Sequence, residues 1–136
     1  MHEARTFSIP VLLAEDNPLN QELVCEFLAD TPFAITIAEN GQRAVDVFTQ
    51  QHFELVLMDC QMPIMDGLEA TRVIRRIEAE KALQRTPIIA VTANAIRGDR
   101  DTCLAAGMDD YLSKPFSPEV LIELLVKWAA ASPQAS

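Results

Sequence analysis

Short apolar runs alternate along the chain with segments in which apolar residues recur every three or four positions. The runs at 54–59 and 87–93 are apolar almost throughout, as strands covered on both faces are, whereas the run at 33–38 alternates and is rich in β-branched residues. Similar short runs lie at 9–14 and 109–115. This pattern predicts five β-strands, each followed by a helix.

The segments between the strands carry signals for helix starts and helix ends. Asn17 precedes a proline, which predicts an N-cap followed by the first helical turn. Asp66 with Glu69 three positions later resembles a capping box, and Gly107 predicts the end of a helix over 97–106. Apolar residues at helical spacing predict the faces with which four of the helices pack on the sheet: Leu19, Leu23, Val24, Phe27, Leu28, Ala44, Val45, Phe48, Ala70, Val73, Ile74, Ile77, Val120, Leu121, Leu124, Leu125 and Trp128.

The alternation of strands and helices predicts an α/β fold, in which a five-stranded parallel sheet carries helices on both faces. We expect one domain over residues 9–130, with flexible tails at 1–8 and 131–136. The flavodoxin-like strand order 2-1-3-4-5 is adopted from known doubly wound folds, because the alternation alone does not fix the order.

Composition and charge narrow the possible functions. Hydrophobic residues make up 49% of the chain, and 20 acidic residues against 11 basic ones give a net charge of −9. This charge disfavours direct binding to nucleic acid, which depends on Lys and Arg at the phosphates. The apolar runs are too short to cross a bilayer and no signal peptide is recognisable, so we expect a cytoplasmic protein. Cys25, Cys60 and Cys103 lack the spacing of metal sites and are interpreted as reduced thiols.

Polar residues follow the predicted strands at their carboxyl ends. Glu15 and Asp16 follow the first strand, Asp59 ends the third, Thr92 lies at the end of the fourth, and Lys114 follows the fifth. In the order 2-1-3-4-5 the first and third strands are neighbours, so the three acids are expected to converge at one edge of the sheet. Each residue alone has an ordinary interpretation as a turn former, a cap or a surface charge. Their coincidence at one edge favours a functional site.

Three converging carboxylates need a positive partner. Two unit charges ~4 Å apart repel by about 4 kcal/mol at an effective dielectric constant of about 20. A ligand set of oxygens alone suits a hard ion, and a small, open carboxylate site suits Mg²⁺ better than Ca²⁺. Lys114 is a compact charge able to reach the same crevice. A carboxylate, a metal ion, a lysine and a hydroxyl form a site for phosphoryl transfer, in which Asp59 is the candidate nucleophile.

Four segments, "LLAEDN", "LMDCQMPIMDG", "AVTA" and "YLSKP", resemble the motifs of the receiver domain of two-component response regulators. The resemblance covers about residues 9–130. It implies that Glu15, Asp16 and Asp59 hold Mg²⁺ together with the backbone carbonyl of Gln61. It also implies that Asp59 accepts a phosphoryl group from a phosphohistidine on a partner protein.

The same resemblance implies roles for residues around the acids. Thr92 and Lys114 would bind the phosphoryl oxygens, and Tyr111 would turn inward when Thr92 moves toward them. The surface around the fourth helix and the fifth strand would then change its conformation. The side chains of Gln61 and Asn94 lie at positions that tune hydrolysis in the family. The chain would catalyse its own phosphorylation and dephosphorylation, and it is not expected to be an enzyme in the ordinary sense.

Further phrases, among them "NPLNQELV", "RTPIIAVTANA" and "GMDDYLSKPF", are similar to receivers attached to hybrid sensor histidine kinases. The implied partner is a histidine kinase or a histidine phosphotransfer domain, a helical bundle that docks near the first helix. We expect a monomer or weak dimer in the cytoplasm, without membrane contact by this domain. Whether it is a piece of a membrane-anchored hybrid kinase or a stand-alone regulator stays open.

Two other function classes compete with the phosphorelay hypothesis. A metal-dependent phosphatase of the haloacid dehalogenase type expects a second acid two residues after its nucleophile, where this chain has Gln61. A pseudo-receiver would bind partners without phosphorylation, but the intact acids, Thr92 and Lys114 count against it. Nucleotide binding has little support, because neither a GxGxxG motif nor a Walker loop is present.

Overall fold

The computed structural model describes residues 8–93 and 97–131, without the side chains of 97–99 and 131. Within this part the strands are β1 (Ile9–Ala14), β2 (Phe33–Ala38), β3 (Leu55–Asp59), β4 (Ile88–Thr92) and β5 (Asp110–Ser113). The helices are α1 (Pro18–Phe27), α2 (Gly41–Gln50), α3 (Gly67–Glu80), α4 (Arg97–Ala106) and α5 (Pro118–Ala131). The tails expected at 1–8 and 131–136 fall almost wholly outside the described residues, and Asn94 lies outside them.

The five strands form one parallel sheet in the order β2-β1-β3-β4-β5, which confirms the predicted α/β fold and its strand order. The register aligns the carboxyl ends of the central strands. Ala14 at the end of β1 pairs with Met58, and Asp59 at the end of β3 pairs with Val91. The residue that follows β1 therefore lies beside the last residue of β3.

Successive strand residues point to opposite faces of the sheet, and each face buries its own apolar cluster. One face carries α1 and α5, and its buried side chains include Val11, Leu13, Leu55, Leu57, Ile89, Val91, Val24, Leu28, Leu121 and Leu125. The other face carries α2, α3 and α4, and its buried side chains include Leu12, Ala14, Val56, Met58, Ile88, Ala90, Ala44, Phe48, Ile74 and Cys103. The continuously apolar strands are thus covered on both sides, as predicted.

The predicted helix starts are confirmed by their capping hydrogen bonds. The side chain of Asn17 accepts a hydrogen bond of 2.9 Å from the backbone N–H of Leu19, and α1 begins at the proline between them. The side chain of Asp66 accepts one of 2.9 Å from the N–H of Glu69. Asn17 therefore starts α1 three residues after Glu15, and Asp66 starts α3 at the end of the loop that follows β3.

The apolar stripe predicted for α1 is too wide. Val24 and Leu28 are buried against the sheet, but the side chains of Leu19 and Leu23 are 63% and 41% exposed. Val120 in α5 is exposed in the same way. On these helices one row of residues four apart is fully buried against the sheet, whereas the residues of the adjacent rows are only partly covered or exposed. Among the described helices, none combines the length and the apolar character needed to cross a membrane.

Candidate functional site

The acids after β1 and at the end of β3 meet at the carboxyl edge of the sheet. One carboxylate oxygen from each of Glu15, Asp16 and Asp59 lies within 4.8 Å of the others. Glu15 and Asp59 are buried, whereas Asp16 is exposed. The convergence predicted from the strand order is therefore present, with two acids in the crevice and one at its mouth.

Residues of the first turn of α1 hold Glu15 in place. Its Oε2 atom accepts hydrogen bonds from the backbone N–H of Asn17 at 3.1 Å and from the amide of Asn20 at 3.3 Å. The amide of Gln21 donates to the backbone carbonyl of Glu15 at 2.7 Å. Sequence analysis missed Asn20 and Gln21. The start of α1 three residues after Glu15 places its first turn close to the end of the strand, but the sequence does not distinguish the polar side chains that turn back toward the strand from those that face solvent.

Lys114 bridges the two buried acids. Its Nζ lies 3.3 Å from Oε1 of Glu15 and 3.4 Å from Oδ2 of Asp59. Its backbone N–H donates a 2.8 Å hydrogen bond to the carbonyl of Thr92, and the peptide bond to Pro115 is cis. The end of β4 thus positions the lysine backbone, and the side chain reaches across β4 to the tips of β3 and β1.

The pKa of Asp59 is raised to about 6 by its surroundings. Burial raises this pKa, the backbone N–H of Gln61 lowers it, the charge of Glu15 raises it again, and Lys114 lowers it. For Lys114, burial lowers the pKa, but the carboxylates of Asp59 and Glu15 raise it further, so the net shift is upward. Negative charge is therefore undercompensated at this edge, because three acids share one ammonium group.

The donor set of the acidic cluster fits a hard divalent cation. Its side-chain donors are carboxylate oxygens, the ligands that Mg²⁺ prefers. The carboxylate of Asp16 is exposed to solvent, so an ion at the cluster could keep some of its water ligands. Among the described residues, no other group of three or more His, Cys, Asp or Glu side chains converges in this way. The residues present are thus consistent with the predicted Mg²⁺ site.

The loop between β3 and α3 is packed tightly against Asp59. A Cβ atom added at Gly67 would lie 2.2 Å from the backbone carbonyl oxygen of Asp59, so only glycine fits there. The N–H of Gly67 donates to the carbonyl of Cys60 at 3.2 Å, and the N–H of Gln61 donates to Oδ1 of Asp59 at 3.0 Å. Sequence analysis assigned Gly67 no role at the site. The start of α3 thereby packs against the backbone of Asp59, and the loop residue Gln61 holds its carboxylate.

The remaining predicted residues lie around this core. Thr92 is buried at the end of β4, next to Val91, which pairs with Asp59. Tyr111 is half-buried against the apolar cluster of α2, α3 and α4, and the guanidinium carbon of Arg100 lies 5.3 Å from the centroid of its ring. The side chain of Gln61 is exposed. The inward movement of Tyr111 and the tuning roles of Gln61 and Asn94 stay predictions.

An apolar cavity of about 150 Å³ adjoins the acids on the side of α1. Leu23 and Phe27 of α1 line it together with Phe116, and Glu15 and Lys114 form its polar end. The ring of Phe27 meets that of Phe116 edge to face, with centroids 6.2 Å apart. An apolar surface therefore lies directly beside the charged site.

Comparison with protein families gives a match over most of the chain. The response regulator receiver domain family matches residues 11–126. Among curated proteins, hybrid signal transduction histidine kinase I of Dictyostelium discoideum is 46% identical over an alignment of 120 positions, which covers 85% of this chain and 7% of the kinase. The chain therefore spans less than a tenth of the length of that relative.

Two solved structures resemble the fold closely. The receiver domain of sensor histidine kinase PA1611 from Pseudomonas aeruginosa PAO1 is 44% identical with a TM-score of 0.80, and the match covers 89% of this chain and 97% of that one. That crystal structure has a magnesium ion coordinated in the active site cleft. The Saccharomyces cerevisiae receiver domain of Ssk1, co-crystallised with the histidine phosphotransfer protein Ypd1, is 33% identical with a TM-score of 0.84, covering 89% and 88% of the two chains.

Proposed function

Because the chain belongs to the response regulator receiver domain family, we propose that it is a phospho-acceptor in two-component or phosphorelay signalling. In this proposal Asp59 accepts a phosphoryl group from a phosphohistidine on a partner protein. One observation carries it: the buried carboxylate of Asp59 lies at a strand tip, with Glu15, Asp16 and Lys114 converging on it.

The acidic cluster would hold Mg²⁺ through Glu15, Asp16 and Asp59, with the backbone carbonyl of Gln61 completing the protein ligands. When bound, this ion supplies positive charge to the non-bridging oxygens of the phosphoryl group. The donor chemistry of the cluster supports this assignment, and the magnesium ion in the PA1611 receiver gives a precedent.

The residues of the chain itself orient the nucleophile. The N–H of Gln61 holds Oδ1 of Asp59, which fixes the plane of the carboxylate, and Lys114 lies on the side of Oδ2. A carboxylate oxygen of Asp59 attacks phosphorus, the new P–O bond forms, and the P–N bond to the histidine breaks with its electron pair going to the imidazole. The ammonium of Lys114 stabilises the charge on the transferring group.

The acyl phosphate then becomes the signal. It adds negative charge and acceptor oxygens at Asp59, to which Lys114 and the hydroxyl of Thr92 would bind. Thr92 lies at the end of β4, the strand that precedes α4 in the chain, so in this proposal its movement is the link between the phosphoryl group and α4. Tyr111 in β5 would fill the space that Thr92 leaves, which shifts the populations of the α4–β5 surface.

The partner would be a histidine kinase or a histidine phosphotransfer domain. Leu19 and Leu23 are exposed on α1, and Leu23 also lines the apolar cavity beside the acids, so this side offers a contact area for an apolar helix face. The complex of the Ssk1 receiver with Ypd1 gives a precedent for such a partner. Activity as part of a hybrid kinase is included in this proposal, since similar receivers belong to such kinases.

The direct test measures phosphoryl uptake by the intact protein. The protein is incubated with Mg²⁺ and acetyl phosphate, and its mass is compared with that of the Asp59→Asn variant and of Asp30→Asn. Asp30 is an exposed acid in the turn before β2, so its substitution makes the same charge change away from the site. We expect an adduct of about 80 Da in wild type and Asp30→Asn, and none in Asp59→Asn.

Other results would point to the competing functions. Continuous hydrolysis of small phosphoesters by the wild type would favour a phosphatase. A wild type that takes up magnesium or binds a partner but never gains the adduct would favour a pseudo-receiver. Either result would contradict the phospho-acceptor proposal.

A further inference from the structure

A pair of thiols lies directly beside the phospho-acceptor site. The Sγ atoms of Cys60 and Cys103 are 3.4 Å apart, although the two residues are 43 positions apart in the chain. Cys60 follows Asp59, and Cys103 lies in α4, where its side chain is 2% exposed. The proposed phosphoryl chemistry uses neither sulfur.

Both cysteines are attached to firmly held backbone. The N–H of Cys60 donates to the carbonyl of Val91 at 3.1 Å, and its carbonyl accepts the hydrogen bond from Gly67. The carbonyl of Cys103 accepts a hydrogen bond of 3.1 Å from the N–H of Met108 at the end of α4. A disulfide has a sulfur–sulfur distance of about 2.05 Å, so the two sulfurs need to approach by roughly 1.3 Å. Rotation of the side chains supplies part of this approach, and the rest has to come from a small displacement of α4 and of the Cys60 backbone toward each other.

We propose that Cys60 and Cys103 form a reversible regulatory disulfide that ties the phospho-acceptor loop to α4. Cys60 is half-buried and is the sulfur that a small oxidant reaches, whereas Cys103 is buried behind it. With hydrogen peroxide, the thiol of Cys60 becomes a sulfenic acid and one water is released. The sulfur of Cys103 then attacks the sulfenic sulfur, the S–S bond forms, and a second water leaves. Two electrons and two protons pass from the thiols to the peroxide, and a dithiol reductant reverses the step.

The consequence for signalling rests on the proposed function. The bond joins the residue next to Asp59 to the helix that is expected to respond to phosphorylation. It draws Cys60 toward α4, and the adjacent N–H of Gln61, which orients the Asp59 carboxylate, moves with it. A displacement of about 1 Å at a reacting group costs up to roughly a hundredfold in rate. We expect phosphoryl uptake by the oxidised protein to be at least about tenfold slower than by the reduced protein.

The experiment uses the Cys25→Ser chain, because Cys25 is exposed and would otherwise join two molecules. The protein is treated with hydrogen peroxide, and peptides are mapped without reduction. We expect one linkage between the peptides of Cys60 and Cys103, with a loss of about 2 Da from the intact mass. Cys103→Ala in the same background is the matched control, because peroxide can still oxidise Cys60 there but the bond cannot form. Its phosphoryl uptake should slow clearly less after peroxide than that of the chain with both cysteines. If that variant does not fold, Cys103→Val replaces it.

Two results would overturn the inference. One is a peptide map in which Cys60 and Cys103 stay unlinked while peroxide oxidises them separately or not at all. The other is a linked protein that takes up the phosphoryl group from acetyl phosphate as fast as the reduced protein. Failure of the reduced protein to form the adduct is a different result, because it refutes the phospho-acceptor function and with it the regulatory effect, whereas the peptide map reports the bond itself.

Discussion

Asp59 carries a negative charge that the surrounding protein groups stabilise poorly. Burial and the neighbouring Glu15 raise its pKa to about 6, despite the hydrogen bond from Gln61 and the ammonium of Lys114. The protonated form of Asp59 is therefore favoured in the folded protein relative to the unfolded chain, where the pKa is 3.8. Ionisation of this group opposes folding, and this cost supplies part of the attraction for a cation.

The Asp59→Asn variant should therefore be more stable than wild type at pH 8 in the presence of EDTA, by about 1–3 kcal/mol. The raised pKa means that the stability from protonated Asp59 is complete below pH 3.8 and is lost as the pH rises through about 6. The advantage of the variant should accordingly be small at pH 4 and reach its full value above pH 7. Urea unfolding of both proteins at several pH values measures it.

Asp30→Asn is the control for this stability effect, because it removes an exposed carboxylate far from the site. Its stability should follow that of wild type at each pH. An Asp59→Asn variant that is equally stable or less stable than wild type at pH 8 would show that the charge is better compensated than its surroundings indicate.

Sequence alone locates the charged residues of the site but not the residues that hold them. Glu15, Asp16, Asp59 and Lys114 follow strands, and parallel strands share one carboxyl edge, so their meeting is predictable once the order is assumed. Asn20 was not predicted, because a polar residue in the first turn of a helix has the same sequence signal whether it faces solvent or a buried glutamate.

At the scale of elements, the start of α3 determines the geometry of the β3–α3 loop. Gly67 lies so close to Asp59 that a methyl group would contact its carbonyl oxygen at 2.2 Å, and Gly41 at the start of α2 approaches the carbonyl oxygen of Met65 equally closely. The two glycines enclose the loop from α2 and from α3. The sequence shows only that glycines are present at positions 41 and 67. The close approach is a tertiary contact that the local pattern does not contain.

Gly67→Ala should displace the backbone of Asp59. We expect a loss of about 1–3 kcal/mol in the free energy of unfolding, because a methyl group is forced into an occupied space. Phosphoryl uptake should fall by at least about tenfold, because the carboxylate moves with its backbone. Chemical denaturation and intact-mass kinetics measure the two effects.

Gly41→Ala is the matched variant, since it makes the same change against the carbonyl of Met65 on the other side of the loop. It should lose similar stability and keep a phosphoryl uptake within about threefold of wild type. An equal loss of phosphoryl uptake in both variants would mean that the whole loop is displaced in each of them. The contact of Gly67 with the backbone of Asp59 would then not be what positions the carboxylate.

The helices were predicted well in position and less well in orientation. Caps such as Asn17 and Asp66 are local signals, and the helices begin where those signals lie. Leu19 and Leu23 were predicted to be buried but are exposed, because helical spacing identifies an apolar side and does not say how much of it the sheet covers.

At the scale of the whole molecule, the partly buried guanidinium group of Arg75 connects segments at the edge of the sheet opposite the acidic site. Arg75 in α3 donates to the carbonyls of Thr86 at 2.8 Å and Gly107 at 2.9 Å. It also pairs with Glu78 at 2.9 Å and with Asp109 at 2.7 Å. One side chain thus connects α3 to the segments that enter β4 and β5. The sequence gives no sign of this network, because "TRVIRRIEAE" offers several arginines at helical spacing.

Arg75→Met should destabilise the fold by about 3–5 kcal/mol, since it leaves the buried carboxylate of Glu78 without its cation. Asp109 keeps its 2.8 Å pair with Arg85. Arg72→Met is the control on the same helix, where the arginine is half-exposed and forms a 3.5 Å pair with Glu69. The control should change stability by less than about 1 kcal/mol. Thermal or urea unfolding compares the two, and similar losses would show that the network contributes no more than a surface pair.

The proposed phospho-acceptor function depends on the chemistry of one carboxylate, that of Asp59. The most direct measurement reduces the phosphorylated protein with borohydride, which converts an aspartyl phosphate into homoserine, and locates the new residue by peptide sequencing. If the proposed function is correct, Asp59 alone is converted into homoserine, and only when Mg²⁺ was present together with the phosphodonor. Conversion at Asp16, or phosphorylation without any reducible acyl phosphate, would contradict it.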